Sequence, residues 1–240
     1  MARSDREYKA LSISEFTKAA AMYESSSAGV YETCKKDYPE IIEILKEREF
    51  DTLLDAGCGP APLIALLAGM YPEKHFTGID LTLAMIEKAK EKDLANAEFV
   101  VGDCENLPFE DNSFDVIVCC ESFHHYPNPQ DFFSSVQRCL KPGGILFLRD
   151  YAVDGFAAWL VNHLMMPLAN LAGHGDVGVY SKKELFTMCE KAGLSVEEFR
   201  MVSKVKMNLI AKNKKQGTAG PGCQEHSHPE PCVSAFRGSV

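Results

Sequence analysis

Five apolar, β-branched-leaning runs recur along the first two thirds of the chain with helical stretches between them. That alternation limits the fold more than any other feature. The runs are DTLLDAG, HFTGID, AEFVVGD, FDVIVCCES and GILFLRD; the stretches between are PLIALLAGMY, LAMIEKAKEK and DFFSSVQRCL. Strands that alternate with helices build a parallel sheet covered on both faces, so the predicted class is α/β and doubly wound. Breakers stand where the pattern needs them. Lys141-Pro-Gly-Gly144 is expected to stop one helix and turn the chain into the next strand, and Asp111-Asn112-Ser113 forms a polar turn before Phe114. Two last strand candidates, VEEFRMV and KVKMNLIAK, have little chain between them and must pair antiparallel.

The flanks read differently. Over residues 1–50, Phe16, Ala20 and Tyr23 share one helical face, and Tyr38, Ile41, Ile42 and Leu45 share another, which predicts a helical cap. The core is expected over 51–213, with a helical insertion at about 154–180. Ser181 and Glu184 then open a helix as a capping box, and Gly193 closes it. From Gln216 the chain is rich in Gly, Pro and Ser and poor in aliphatic residues, which predicts a disordered tail over 216–240. Cys223, His226, His228 and Cys232 crowd there, but their spacing matches no common zinc finger, and no metal site is assigned.

Composition excludes several classes. With 46% hydrophobic residues in 240, the chain can bury one ordinary core. Its net charge is -9 and its Lys and Arg form no basic stripe, which argues against a nucleic-acid partner. MARSDREYKALS lacks the apolar segment of a secretion signal. No apolar run reaches the roughly 18 to 20 residues of a membrane span; FAAWLVNHLMMPLANLAG is broken by Asn162, His163, Pro167 and Asn170. The nine cysteines then predict free thiols in the cytoplasm, with Cys119, Cys120, Cys139 and Cys189 as small buried groups. No signal addresses oligomeric state.

Three signals mark a ligand site. Asp55-Ala-Gly-Cys-Gly-Pro-Ala61 follows the first strand, where Gly57 and Gly59 let backbone approach a ligand and the helix from Pro62 aims its N-terminus at the same place. Asp80 ends the second strand about twenty residues after the loop, where a carboxylate can accept both hydroxyls of a ribose; it can equally cap the helix that follows. Asp103 ends the third strand, where it can accept from an adenine amino group or form a turn.

Taken together, DAGCGPAP, FTGID, VGDCENLPFEDNSFDVIV and RCLKPGGILFL resemble the class I S-adenosylmethionine-dependent methyltransferases over roughly residues 10 to 213. The likeness is strongest to the small-molecule branch that includes quinone-biosynthesis and sterol-type enzymes. The resemblance implies a Rossmann-like, seven-stranded sheet whose last-but-one spatial strand is antiparallel. It also implies S-adenosyl-L-methionine as methyl donor and a small molecule as acceptor. Gly57, Cys58 and Gly59 would line the methionine end of the donor, Asp55 would fix the loop near the ammonium group, Asp80 with Leu81 would hold the ribose, and Asp103 and Cys104 would flank the adenine. Glu121 joins this donor set. The family's third glycine is Ala61 here, so a shifted loop is expected.

Methyl transfer is an in-line displacement, so alignment matters most, and a base is needed only for a nucleophile that keeps its proton. Glu121-Ser-Phe-His-His-Tyr126 supplies the candidates: His124 or His125 as base, or as packing for the loop. Tyr126, Asp150, Tyr151 and Trp159 are the candidate acceptor contacts. DNA amino-methyltransferases carry an Asp/Asn-Pro-Pro-Tyr-type motif where this chain has ESFHHY, and the Pro-Cys of cytosine methylation occurs only at Pro231-Cys232. A nicotinamide oxidoreductase shares the glycine loop but wants Gly or Ala at Pro62. A non-catalytic donor-binding protein shares every donor contact and differs only in turnover.

Overall fold

The central strand, β1 (Thr52–Ala56), shows why the sheet must be covered twice. Leu53 points into one apolar layer and Leu54 into the other, and both are buried. The period-2 alternation of a strand does this along the whole sheet. In β4 (Phe114–Cys120), Val116 and Val118 belong to one layer and Ile117 and Cys119 to the other; in β5 (Leu140–Tyr151), Phe147 alternates with Leu146 and Leu148. The computed structural model describes residues 3–24 and 34–214. The expectations for the tail, including its Cys and His residues, lie outside them.

The remaining elements, in chain order, are α1 (Asp5–Ala19), α2 (Tyr38–Lys46), α3 (Pro62–Met70), β2 (His75–Asp80), α4 (Leu83–Lys90), β3 (Ala97–Val101), α5 (Pro129–Cys139), α6 (Gly155–Leu160), α7 (Met166–Leu171), α8 (Lys182–Lys191), β6 (Leu194–Met201) and β7 (Lys206–Asn213). Their sheet runs β3-β2-β1-β4-β5-β7-β6, with β7 antiparallel to both neighbours and the rest parallel, as expected. One layer comes from α2, α3 and α4 through Ile41, Leu45, Leu63, Ile64, Leu67 and Ile86; the other comes from α5 and α8 through Phe132, Phe133, Val136, Leu185 and Cys189. Each such side chain contributes about 1.5–3 kcal/mol by leaving water.

Chain order and space order part between β1 and β4. That switch point opens a crevice at the carboxyl ends of the strands, where ligands of open α/β sheets bind. The cap is fastened over it: α1 packs on α4 and on the turn Phe123–His125. Near the other edge, the buried Arg149 of β5 donates from Nε to Asn208 Oδ1 at 2.7 Å and pairs with Asp37 and Glu40 at the start of α2.

Two local readings need correction. Lys141 to Gly144 stops the helix at Cys139 but does not delay the strand, because β5 already pairs through Leu140 with Phe114 and absorbs an irregularity before Val116. The apolar stretch from Gly155 turns its large side chains outward: Phe156 is 75% exposed and Leu171 76%. Among the described residues, no helix is long and apolar enough to cross a membrane.

Candidate active site

The glycine loop leaves β1 at Ala56 and turns sharply. Gly57 has φ 80° and Gly59 φ 54°, values that L side chains rarely adopt. The N–H groups of Gly57 and Cys58 both donate to the Ile79 carbonyl, at 2.8 and 3.0 Å, which locks the loop to the end of β2. Space as well as φ demands glycine at 57. A Cβ there would lie 2.5 Å from Ser122 Cβ and 3.1 Å from Tyr126 Oη. Ala61 adopts the left-handed conformation itself, φ 58° and ψ 45°, and its N–H donates to the Cys58 carbonyl at 2.9 Å. The strain is about 1–2 kcal/mol. Pro62 then starts α3 with its N-terminus toward the loop.

Asp80 is engaged by the backbone on both sides of the crevice. One carboxylate oxygen accepts from Gly59 N at 3.0 Å and the other from Thr82 N at 2.8 Å, so it braces the loop and the entry to α4 together. Burial raises its pKa, and those hydrogen bonds partly oppose the rise. Asp55 is buried at the end of β1, and burial, then the Asp80 charge, push its pKa up to about 7. Leu81, Asp103 and Cys104 line a small recess beside Gly57 and Asp80. Asp103 is engaged there by two groups, Glu105 N at 2.9 Å and Lys9 Nζ at 2.6 Å. Lys9 also pairs with the buried Glu105, so α1 is anchored by charge at the outer end of the recess. Burial pushes the Cys104 thiol up to about 12.

A cavity of about 350 Å³ opens from the loop. Gly57, Gly59, Asp80, Glu121 and Ser122 line it together with Phe16 and Tyr23. His124, His125, Tyr151, His174 and Asp176 also line it, as does Glu15 of α1. Glu121 leaves β4 with φ 54°, and Lys206 Nζ stands 2.9 Å from its Oε1, an ion pair without hydrogen-bond alignment. Burial, then the Asp150 charge, raise the Glu121 pKa against the pull of Lys206.

The two histidines differ. His124 Nδ1 meets Asp150 Oδ1 at 2.8 Å, and its backbone N–H reaches the other oxygen at 3.3 Å. Burial alone would lower the His124 pKa; the charge and hydrogen bond of Asp150 outweigh it and bring it to about 9. The His125 ring lies 4.2 Å from that of His124 and edge-on to Phe16 at 5.1 Å. Burial, then the His124 charge, push its pKa down.

The acceptor candidates therefore separate. Tyr151 lines the cavity. Asp150 does not: it is fully buried behind His124 and acts on the cavity only through that ring. Tyr126 also stands behind the wall, its Oη 2.8 Å from Ser122 Oγ, where it holds the side chain that fills the space over Gly57. Trp159 lies away from the cavity, 53% exposed and stacked between Phe156 and His163, because its helix faces outward. Ser122, Asp176, Glu15, Lys9 and Lys206 were not singled out from the sequence; His174, readable there as a pocket residue or an exposed one, lines the cavity. Only Ser122 had a signal, its place between Glu121 and the His pair.

Residues 54–148 match the family model described as "Methyltransferase domain". The chain is 36% identical over 122 residues to the phthiotriol/phenolphthiotriol dimycocerosates methyltransferase of Mycobacterium tuberculosis, an overlap of 50% of this chain and 45% of that protein. It is 33% identical over 125 residues to the demethylmenaquinone methyltransferase of Listeria welshimeri, covering 50% of this chain and 53% of the relative. The chain thus spans about half the length of the curated relatives it matches. Among solved structures, the 1,6-didemethyltoxoflavin-N1-methyltransferase of Burkholderia thailandensis, with its acceptor and S-adenosylhomocysteine bound, superposes with a TM-score of 0.68 at 15% identity, over 90% of this chain and 92% of that one. Residues 54–148 thus resemble a methyltransferase domain, and the chain has the Rossmann-like fold of that solved methyltransferase.

Proposed function

We propose that the chain is an S-adenosylmethionine-dependent methyltransferase that acts on a small molecule. The observation that carries this reading is the joining of a bare-backbone loop, Gly57 to Gly59, to a buried carboxylate, Asp80, at the mouth of a cavity lined by His124, His125 and Tyr151. The donor, when bound, supplies an electrophilic methyl group on a sulfonium. The fit rests on the space kept open at Gly57 and Gly59 and on the acids around them. Asp55 is suited to an ammonium group, and Asp80 with Leu81 to ribose hydroxyls. Asp103 and Cys104 form the recess for a flat base.

The chain's part in the chemistry is alignment and exclusion of water. Asp150 holds the His124 ring toward the cavity, and Phe16 holds that of His125. Both rings stand where an acceptor's reactive group would meet the donor's methyl, with Tyr151 and Glu121 beside them. We divide the chain to match: a helical cap over 1–50, the core over 51–213 with a cover at about 154–180, and a tail from 216. The net charge of -9 supports a small-molecule partner over nucleic acid, and we place the chain in the cytoplasm, where cysteine thiols stay reduced.

The test supplies isotopically labelled donor and a fractionated metabolite pool to the purified chain and follows S-adenosylhomocysteine by mass spectrometry. Release that depends on one fraction, and that falls in His124→Ala and His125→Ala while donor affinity stays, is the expected result. Donor binding with no release from any fraction points instead to a non-catalytic binding protein.

A further inference from the structure

The lining of the cavity includes three metal-ligand side chains. His124, His125 and Asp176 each offer a ligand atom within 4.8 Å of those of the other two. We propose that His124 Nε2, His125 Nδ1 and a carboxylate oxygen of Asp176 bind one divalent transition-metal ion of the zinc class, with its open position facing the acceptor cavity.

Geometry comes first. Asp176 Oδ1 lies 3.6 Å from His124 Nε2 and 3.7 Å from His125 Nδ1. Ligands at the roughly 2.0–2.2 Å bond lengths of a tetrahedral zinc site lie about 3.4 Å apart. The two distances to Asp176 need to close by only a few tenths of an ångström, and the two imidazole nitrogens already lie within 4.8 Å of each other. Three protein ligands and one open position is the pattern of a reactive rather than a structural site.

The surroundings single out the same atoms. Asp150 takes up His124 Nδ1 and leaves Nε2 aimed at Asp176, which is the carboxylate–histidine arrangement that orients a metal ligand. His125 Nδ1 is buried with no hydrogen-bond partner. Leaving such an atom unsatisfied costs about 1–3 kcal/mol, and a metal bond satisfies it. The strand of chain that carries Asp176 is fixed to the histidine turn, because Val177 N and Gly178 N both donate to the His124 carbonyl at 2.8 and 3.3 Å. Glu15 fastens the other side, accepting from Gly175 N at 2.9 Å and meeting His174 at 2.6 Å. Imidazole and carboxylate together suit zinc and its first-row neighbours.

An ion so held lowers the pKa of an acceptor hydroxyl or thiol in its open position. The acceptor then loses its proton to solvent, its lone pair forms the new bond to the methyl carbon, and the carbon–sulfur bond of the donor breaks with its electron pair on sulfur. This role in turnover rests on the methyl-transfer reading; binding of the ion does not.

The full chain, stripped with a chelator and dialysed, is titrated with Zn²⁺ by calorimetry and with Co²⁺ by visible absorption. Tight binding at this site, with cobalt d–d bands and no thiolate charge-transfer band, is expected. Asp176→Asn and His125→Gln should each weaken zinc binding at least about 100-fold, and Asp150→Asn about 10- to 100-fold, with circular dichroism unchanged. If a variant unfolds, the wild-type cobalt spectrum still decides the ligand type. No binding, a thiolate spectrum, or unchanged affinity in folded Asp176→Asn overturns the site. S-adenosylhomocysteine is titrated into the same stripped chain. Donor binding without zinc binding defeats the metal site alone, and zinc binding without donor binding defeats the methyl-transfer reading alone.

Discussion

Ser122 fills the space that a side chain on Gly57 would need: its Cβ lies 2.5 Å from where that Cβ would stand, and its hydroxyl is held 2.8 Å from Tyr126 Oη. The loop after β4 and the loop after β1 are thereby fitted to each other across the switch point. Gly57→Ala meets two separate costs, about 1–2 kcal/mol of backbone strain and about 1–3 kcal/mol of overpacking. The variant should lose thermal stability and donor binding. Adding Ser122→Gly should recover the packing part and leave the strain, which paired urea melts of the single and double variants would resolve.

Asp80 braces the loop through Gly59 N and the entry to α4 through Thr82 N. Asp80→Ala removes both acceptors and the proposed ribose contact. Donor affinity should fall about 10- to 100-fold, since charge-assisted hydrogen bonds contribute about 1.5–3 kcal/mol. Equilibrium dialysis with labelled donor measures it; an unchanged affinity would put the ribose elsewhere.

Asp55 gives a pH dependence with a definite sign. Its folded pKa, about 7, lies above its ordinary value of 3.8. The folded donor-free chain therefore holds a proton that the unfolded chain releases. This contribution to stability is full below pH 4 and is lost as pH rises through 7. An ammonium group favours the ionised acid, so donor affinity should rise between pH 6 and 8. Asp55→Asn should flatten both trends, leaving the free protein more stable at pH 8 and its donor affinity lower. Melting and donor titrations at matched pH values test the pair.

Arg149 is 2% exposed and neutralises Asp37 and Glu40, tying α2 to the edge of the sheet. Arg149→Met would leave Asp37 buried beside Lys206 alone. Breaking a buried pair in this way should cost about 3–5 kcal/mol in urea unfolding. A loss below about 1 kcal/mol, the range of exposed pairs, would show that the network is not a fastening.

The sheet was legible in the sequence because parallel strands buried on both faces leave continuous apolar runs, as in Leu53-Leu54 and Val116 to Cys119. The pairing of Gly59 with Asp80 was legible for a related reason: a short strand–turn–helix–strand unit fixes their separation. The histidine cluster of the cavity was not. His124 and His125 stand next to each other in the chain, but Asp176 reaches them from beyond α7 and Asp150 from the next strand, contacts that no local spacing encodes. Ala61 shows that a buried alanine can take the left-handed conformation a glycine would otherwise supply. Trp159 shows that apolar composition predicts a helix but not which way its large side chains face.

The central claim is that the rim formed by Asp55, Gly57 and Asp80 binds the adenosyl donor. The most direct measurement is a calorimetric titration of S-adenosylhomocysteine into the purified, untagged chain at pH 8. Saturable heat at one molecule per chain is the expected result. A flat titration, under conditions where circular dichroism shows the chain folded, would contradict it.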